Sequence, residues 1–147
     1  MNHDLYPDET IGDILRNVSL IAMVGASPNP TRPSHHVFEF LQHHGYDVVP
    51  VNPGQVGKDL FGRAFVASLG DIDHPVDMIE IFRASAQIMP VVEEILAMKR
   101  LPSVIWMQLG VRNDTAAAKA EAAGIQVVMN RCPAIEIPRL CLPPRRP

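Results

Sequence analysis

Five short apolar runs, rich in valine and isoleucine, recur along the chain, and most of the gaps between them have helical spacing. Each run lacks the polar alternation of a half-exposed strand, which is typical of strands that are covered on both faces. Turn residues follow every run. The predicted strands are residues 18–24, 47–51, 77–82, 104–107 and 125–129.

Helices are predicted at residues 11–17 and 34–44, from Pro90 onward, and from Asn113 or Asp114 to Gly124. Residues 57–73 are expected to form an irregular crossover with at most a short helix around residues 64–69. Strands that alternate with helices indicate a parallel sheet with right-handed crossovers. We therefore expect an α/β fold: a three-layer α-β-α, Rossmann-like, doubly wound sheet of five parallel strands in the order 3-2-1-4-5.

Length and composition favour one globular domain, because 147 residues with 47% hydrophobic and 20% charged residues can bury a core. The expected parts are an N-terminal helical segment (1–17) packing on the domain, the domain itself (18–141) and a mobile Pro/Arg tail (142–147). A net charge of −3 gives no basic field for nucleic acid or a membrane surface. No apolar stretch is long enough to span a bilayer and no signal peptide is evident, so a cytoplasmic location is expected.

Neither cysteines nor histidines form a metal pattern. Cys132 and Cys141 fit no zinc spacing and no disulfide framework, and both are expected to be reduced thiols. His36 and His43 are seven residues apart, but no acidic residue or cysteine joins them at ligand spacing. No metal site is therefore predicted.

The first predicted strand stops abruptly at Gly25-Ala26-Ser27 and leads into the helix at residues 34–44. A glycine turn between a buried strand and a helix is typical of a phosphate site, because the helix start presents free N–H groups and a positive dipole end. The other strand ends carry polar residues, prolines and further cations. Arg32, Lys58 and Arg83 are the candidate anion partners.

A simple NAD site is disfavoured. The chain has no G-x-G-x-x-G motif, and the second predicted strand ends in Val51-Asn52-Pro53, without the acid that would accept a hydrogen bond from a ribose hydroxyl. Such an acid would repel a phosphate on the ribose, so its absence suits coenzyme A (CoA) or NADP.

Five motifs in order along the chain resemble the small stand-alone CoA-binding domain proteins. They are V-G-A-S-P-N-P-T-R-P-S, G-Y-D-V-V-P-V-N-P, V-D-M-I-E-I-F-R, W-M-Q-L-G-V-R-N and V-V-M-N-R-C-P. These proteins are similar to the N-terminal CoA-binding domain of the succinyl-CoA synthetase alpha subunit. The resemblance covers residues 18–140, nearly the whole chain.

The resemblance implies a Rossmann-like fold that binds CoA at the strand ends, with phosphates near the glycine turn, adenosine near the second strand and pantetheine near the fourth. Lys58 lies three residues beyond the Gly54-Gln55 position where the resemblance places a basic residue. The implied CoA-binding residues are Gly25, Ala26, Ser27, Arg32, Pro33, Ser34, Asn52, Pro53, Lys58, Phe82, Arg83 and Gln108.

The resemblance implies CoA binding but not catalysis, because the phosphorylated histidine of those synthetases lies on a separate domain. We expect a protein that holds CoA or acyl-CoA without transforming it and that has no catalytic residue; no protein partner can be named. The alternative is an enzyme, either an acyl-CoA ligase-like subunit that acts with a missing partner or an NADP-linked reductase.

Overall fold

The computed structural model describes residues 1–145 and consists of seven strands and five helices. The strands are β1 (Leu20–Val24), β2 (Asp47–Val51), β3 (Asp59–Leu60), β4 (Arg63–Ala64), β5 (Met78–Ile81), β6 (Val104–Met107) and β7 (Gln126–Val128). The helices are α1 (Asp8–Asn17), α2 (Pro33–His43), α3 (Ile88–Leu96), α4 (Asp114–Ala122) and α5 (Pro133–Arg139).

Five of the strands form one parallel sheet in the order β2-β1-β5-β6-β7. Helices cover both faces. Leu15 of α1, Phe38 of α2 and Ile137 of α5 pack in one core cluster, and Val92 of α3 and Ala117 of α4 pack in the other. The predicted α/β fold with five parallel strands and helices on both sides is therefore confirmed.

The predicted strand order 3-2-1-4-5 is wrong, since in the numbering of the five predicted strands the sheet runs 2-1-3-4-5. The outer edge of β2 is already occupied, because Val66 pairs with Val51 there and its N–H donates to the Pro50 carbonyl at 3.0 Å. The next long strand, β5, consequently crosses to the other side of β1. The Asp77 carboxylate fixes its start by accepting 2.9 Å hydrogen bonds from the N–H groups of Ser19 and Leu20.

The crossover between β2 and β5 also differs from the prediction. Residues 59–64 form a two-stranded antiparallel hairpin, which was not predicted. Residues 64–69, where at most a short helix was predicted, lead into a 3₁₀ turn at Leu69–Asp71. Helix α5 was not predicted from the sequence, although Pro133 lies in its first turn, where the missing N–H costs nothing.

Both ends of the described chain lie against the domain. Ile11 and Leu15 of α1 are buried, as is Leu142 near the C-terminus. The Arg145 guanidinium donates to the Arg16 carbonyl at 2.5 Å. The division into segments 1–17, 18–141 and 142–147, and the mobility of the last, stay predictions, and residues 146–147 lie outside the described part of the chain.

Within residues 1–145, none of the helices combines the length and the apolar character that crossing a membrane requires.

Candidate ligand-binding site

A groove of about 660 Å³ lies at the carboxyl ends of the parallel strands. Its centre is the topological switch point between β1 and β5, where the strand order of the sheet reverses. Open α/β sheets bind their ligands at such a point. The lining residues are Gly25, Ser27, Arg32, Pro33, Ser34, Asn52, Gln55, Phe82, Arg83, Ala84, Gln108, Leu109 and Val111.

Gly25 joins the two strands at this point through a close backbone approach. Its φ is +86°, and a Cβ added there would lie 2.2 Å from the Phe82 carbonyl oxygen. Its N–H donates to the Val51 carbonyl at 2.9 Å, and the Phe82 N–H donates to the Val24 carbonyl at 2.8 Å. Only glycine fits this position, so the turn opens the groove without a side chain in the way.

The loop from Gly25 to helix α2 is held by its own polar side chains. Ser27 Oγ accepts from the Asn29 N–H at 3.1 Å, and Asn29 Oδ1 accepts from the Thr31 N–H at 3.0 Å and from the Thr31 hydroxyl at 2.8 Å. These turns bring the start of α2 to the groove, with Pro33 in its first turn. The free N–H groups of a helix start and its positive dipole end favour an anion there.

Two arginines line the groove near that helix start. Arg32 directly precedes α2 and is exposed, while Arg83 follows β5 and is half-buried. Guanidinium groups match phosphate oxygens in a two-pronged geometry. The structure thus brings both arginines to one groove, and phosphate binding there stays a prediction.

Asn52 connects the end of β2 to the loop after β1. Its Nδ2 donates to the Ala26 carbonyl at 2.9 Å, and its Oδ1 accepts from the Gly54 N–H at 3.0 Å. The Asn52 amide is thus engaged within the protein on both its oxygen and its nitrogen, although the residue lines the groove. These two contacts position the loop, and contact of Asn52 with a ligand stays a prediction.

Two glutamines have unsatisfied oxygens. Gln55 Oε1 and Gln108 Oε1 are both buried and have no hydrogen-bond partner, and both residues line the groove. An unpaired buried acceptor costs about 1–3 kcal/mol, so native proteins seldom keep one without a reason. Both oxygens therefore lack a donor among the described atoms of the protein.

The structure brings nine predicted site residues to the groove and leaves three outside it. Ala26 is fully buried, Pro53 is exposed beside the groove, and Lys58 is exposed further along the same loop. The nine are Gly25, Ser27, Arg32, Pro33, Ser34, Asn52, Phe82, Arg83 and Gln108. Contact of any of the twelve with a ligand stays a prediction.

Sequence reasoning missed Gln55, Ala84, Leu109 and Val111. Leu109 follows Gln108 directly after β6, and Gln55 follows Asn52 after β2, so strand-end position was the available signal. Leu109 is an exposed leucine at 55%, which places an apolar surface at the β6 end of the groove.

A buried carboxyl group lies in β5, two residues before Phe82, and does not line the groove. Glu80 of β5 is fully buried, and neither of its carboxyl oxygens has a partner. Burial raises the pKa of Glu80 well above its ordinary value, and the nearby Cys132 thiol raises it further. The raised pKa favours the protonated carboxyl group, and the buried side chain does not line the groove.

Residues 1–145 contain no cluster of three or more histidine, cysteine or acidic side chains that could hold a metal ion.

Residues 19–138 match a family model described as a CoA binding domain. The chain is 38% identical over 122 residues to the uncharacterized protein YneT of Bacillus subtilis (strain 168), covering 83% of this chain and 87% of the relative. The structure of the protein named cell-free ID.343 from Thermus thermophilus superposes with a TM-score of 0.86 at 38% identity, covering 92% of this chain and 99% of that one.

A larger enzyme shares the fold. A dinucleotide-forming acetyl-coenzyme A synthetase from Ca. Korarchaeum cryptofilum matches with a TM-score of 0.65 and 22% identity, over 80% of this chain and 27% of the enzyme. At that identity the likeness shows the fold alone. The family match and the relatives that are similar over most of their length together show that the chain belongs to the CoA-binding domain family.

Proposed function

We propose that the protein binds CoA or an acyl-CoA in the groove at the β1/β5 switch point and does not transform it. The observation that carries the proposal is the arrangement of donors, acceptors and charge along one groove. Arg32, Arg83 and the start of α2 suit a diphosphate. The unpaired oxygens of Gln55 and Gln108 suit the hydroxyl and amide donors of such a ligand.

The chemistry of CoA fits the order of these groups across the sheet. The β2 end offers carboxamides to an adenosine, the centre offers cations to the diphosphate, and the β6 end offers Gln108 beside the apolar Leu109 and Val111 to the pantetheine arm. The amide groups of the pantetheine arm suit Gln108, and its methyl groups suit Leu109 and Val111. Membership in the CoA-binding domain family supports the same ligand.

The non-catalytic part of the proposal rests on the kinds of side chains present. Among the described residues that line the groove there is no carboxylate, imidazole or thiol. General acid–base catalysis near neutral pH needs a group that titrates there, and covalent catalysis needs an activated nucleophile. The serines of the groove have no neighbouring base among its lining residues.

Thermal stabilisation by CoA tests the proposal. CoA should raise the melting temperature of the wild type in a concentration-dependent way. Arg32→Ala and Arg83→Ala should each weaken binding by about tenfold or more, because each removes a charge-assisted hydrogen bond. Arg100→Ala is the matched control, since Arg100 is exposed and lies at the opposite edge of the sheet.

No stabilisation by millimolar CoA would refute the binding proposal. Loss of binding in Arg100→Ala equal to that in the groove variants would refute the location. Steady turnover of acetyl-CoA, or NADPH oxidation with a carbonyl substrate, by the purified protein would refute the non-catalytic part and favour the enzymatic alternatives.

A further inference from the structure

The sequence suits a ligand with a phosphate on its ribose, but the residues at the β2 end of the groove do not suit such a phosphate. In dinucleotide-binding sheets, the residues that follow the second strand lie beside the adenosine ribose. Two side chains line the groove at this place, those of Asn52 and Gln55. Asn52 already donates to the Ala26 carbonyl and accepts from the Gly54 N–H, whereas the side-chain oxygen of Gln55 has no partner at all, so Gln55 is the stronger candidate for a ligand contact.

Gln55 has a fixed backbone and an unsatisfied amide. Its N–H donates to the Asn52 carbonyl at 3.1 Å, and its carbonyl accepts from the Lys58 N–H at 3.1 Å, so a tight turn holds it at the groove. Its side-chain oxygen has no partner. A neutral carboxamide both donates and accepts, which suits a hydroxyl group in either orientation.

Among the described residues, none of those that line this end of the groove is cationic. Arg32 and Arg83 lie at the β1 and β5 loops, and Lys58 is exposed outside the lining. Arg63, on the neighbouring hairpin, is paired with the Asp47 carboxylate at 2.9 Å. A ribose phosphate placed here would carry its negative charge without a guanidinium or ammonium partner in the groove.

We propose that Gln55 binds an unphosphorylated ribose hydroxyl of the adenosine, so that the groove does not recognise the 3′-phosphate of CoA. This inference rests on the proposed function and narrows it to the adenosine diphosphate and pantetheine parts of the ligand. Binding energy then comes from the centre and the β6 end of the groove, and CoA lacking its 3′-phosphate is an equally good ligand.

Calorimetric titration of the full chain with CoA and with dephospho-CoA tests this. We expect dephospho-CoA to bind the wild type more tightly than CoA, or no more than about threefold more weakly, a margin below one kcal/mol. Gln55→Lys places a cation beside the ribose and should shift the ratio toward CoA by about tenfold. Lys58→Ala, changed outside the groove on the same loop, should leave the ratio unaltered.

Tighter binding of CoA by more than about threefold in the wild type would overturn the inference while leaving the proposed function intact. An unchanged ratio in Gln55→Lys, with the variant folded by circular dichroism, would also overturn it, because Gln55 would then lie away from the ribose. A ratio that changes in Lys58→Ala would assign phosphate recognition to Lys58 instead. If neither ligand binds the wild type, the proposed function fails and the inference fails with it.

Discussion

The side-chain nitrogen of Asn52 lies 2.9 Å from the Ala26 carbonyl oxygen and donates a hydrogen bond to it. This contact joins the end of β2 to the loop that follows β1, two neighbouring strands that the sequence separates by more than twenty residues. The loop begins the groove, so Asn52 sets the position of the groove wall that leads to helix α2.

Removal of the Asn52 side chain should therefore weaken both the fold and the site. Asn52→Ala loses the bond to Ala26 and the one from the Gly54 N–H, and we expect a decrease in the free energy of unfolding of about 1–2 kcal/mol. Urea unfolding measures it. Asn52→Asp keeps the acceptor for Gly54 but replaces the donor to Ala26 with a carboxylate oxygen that faces the Ala26 carbonyl, so it should also lower the stability. Stability equal to that of the wild type would show that the Ala26 contact contributes nothing.

Gly25 should tolerate no side chain. Gly25→Ala forces a Cβ to within 2.2 Å of the Phe82 carbonyl oxygen, and β1 and β5 would have to separate. We expect a loss of more than about 4 kcal/mol, or failure to fold. Gly110→Ala is the matched control, because Gly110 has the same φ of +86° but nothing within 4 Å of the added atom.

The control should lose only about 1–2 kcal/mol, the cost of a left-handed conformation in a residue with a Cβ. Equal losses in the two variants would mean that the backbone conformation alone explains the glycine at position 25, and that the close approach to Phe82 has no energetic consequence.

Stability should decrease as the pH rises because of Glu80. Its pKa is raised in the folded state by burial and by Cys132, so the native protein holds a proton that the unfolded chain releases. The stabilisation is complete below the unfolded carboxyl pKa of about 4.3 and is lost progressively as the pH rises toward the folded pKa. Each pH unit in that window costs up to about 1.4 kcal/mol.

Glu80→Gln isolates this effect, because the amide keeps the size of the side chain and carries no titrating proton. Urea unfolding at several pH values above 5 should give a difference between wild type and variant that grows with pH. Parallel stability curves for the two proteins would show that Glu80 has an unperturbed pKa.

The sequence predicted the elements of the sheet better than their order. Buried apolar runs identify β1, β2, β5, β6 and β7 directly, because strands covered on both faces have no polar alternation. The strand order depends on which edge of β2 is free. The pairing of Val66 with Val51 occupies the outer edge, and the segment that contains Val66 has no strand pattern in the sequence. Helix α5 was missed for a similar reason, since its seven residues include two prolines.

The groove was predictable to the extent that strand ends converge on one edge of a sheet. The residues next to strands, such as Gly25, Phe82 and Gln108, reached it as expected. Lys58 was the predicted site residue after β2, but Gln55 lines the groove instead. The 3₁₀ turn at Pro53–Gln55 directs the chain so that Gln55 faces the groove and Lys58 does not. Charge alone favoured the lysine, and only the turn geometry distinguishes the two.

The proposed function requires CoA to occupy the groove at the β1/β5 switch point. Titration of isotopically labelled protein with CoA, followed by the backbone amide resonances, tests occupancy and location together. We predict saturable shifts at Gly25, Ser34, Arg83 and Gln108, with Lys99 and Arg100 at the opposite sheet edge unmoved. The absence of saturable shifts with millimolar CoA, or shifts confined to residues outside the groove, would show that CoA does not bind there.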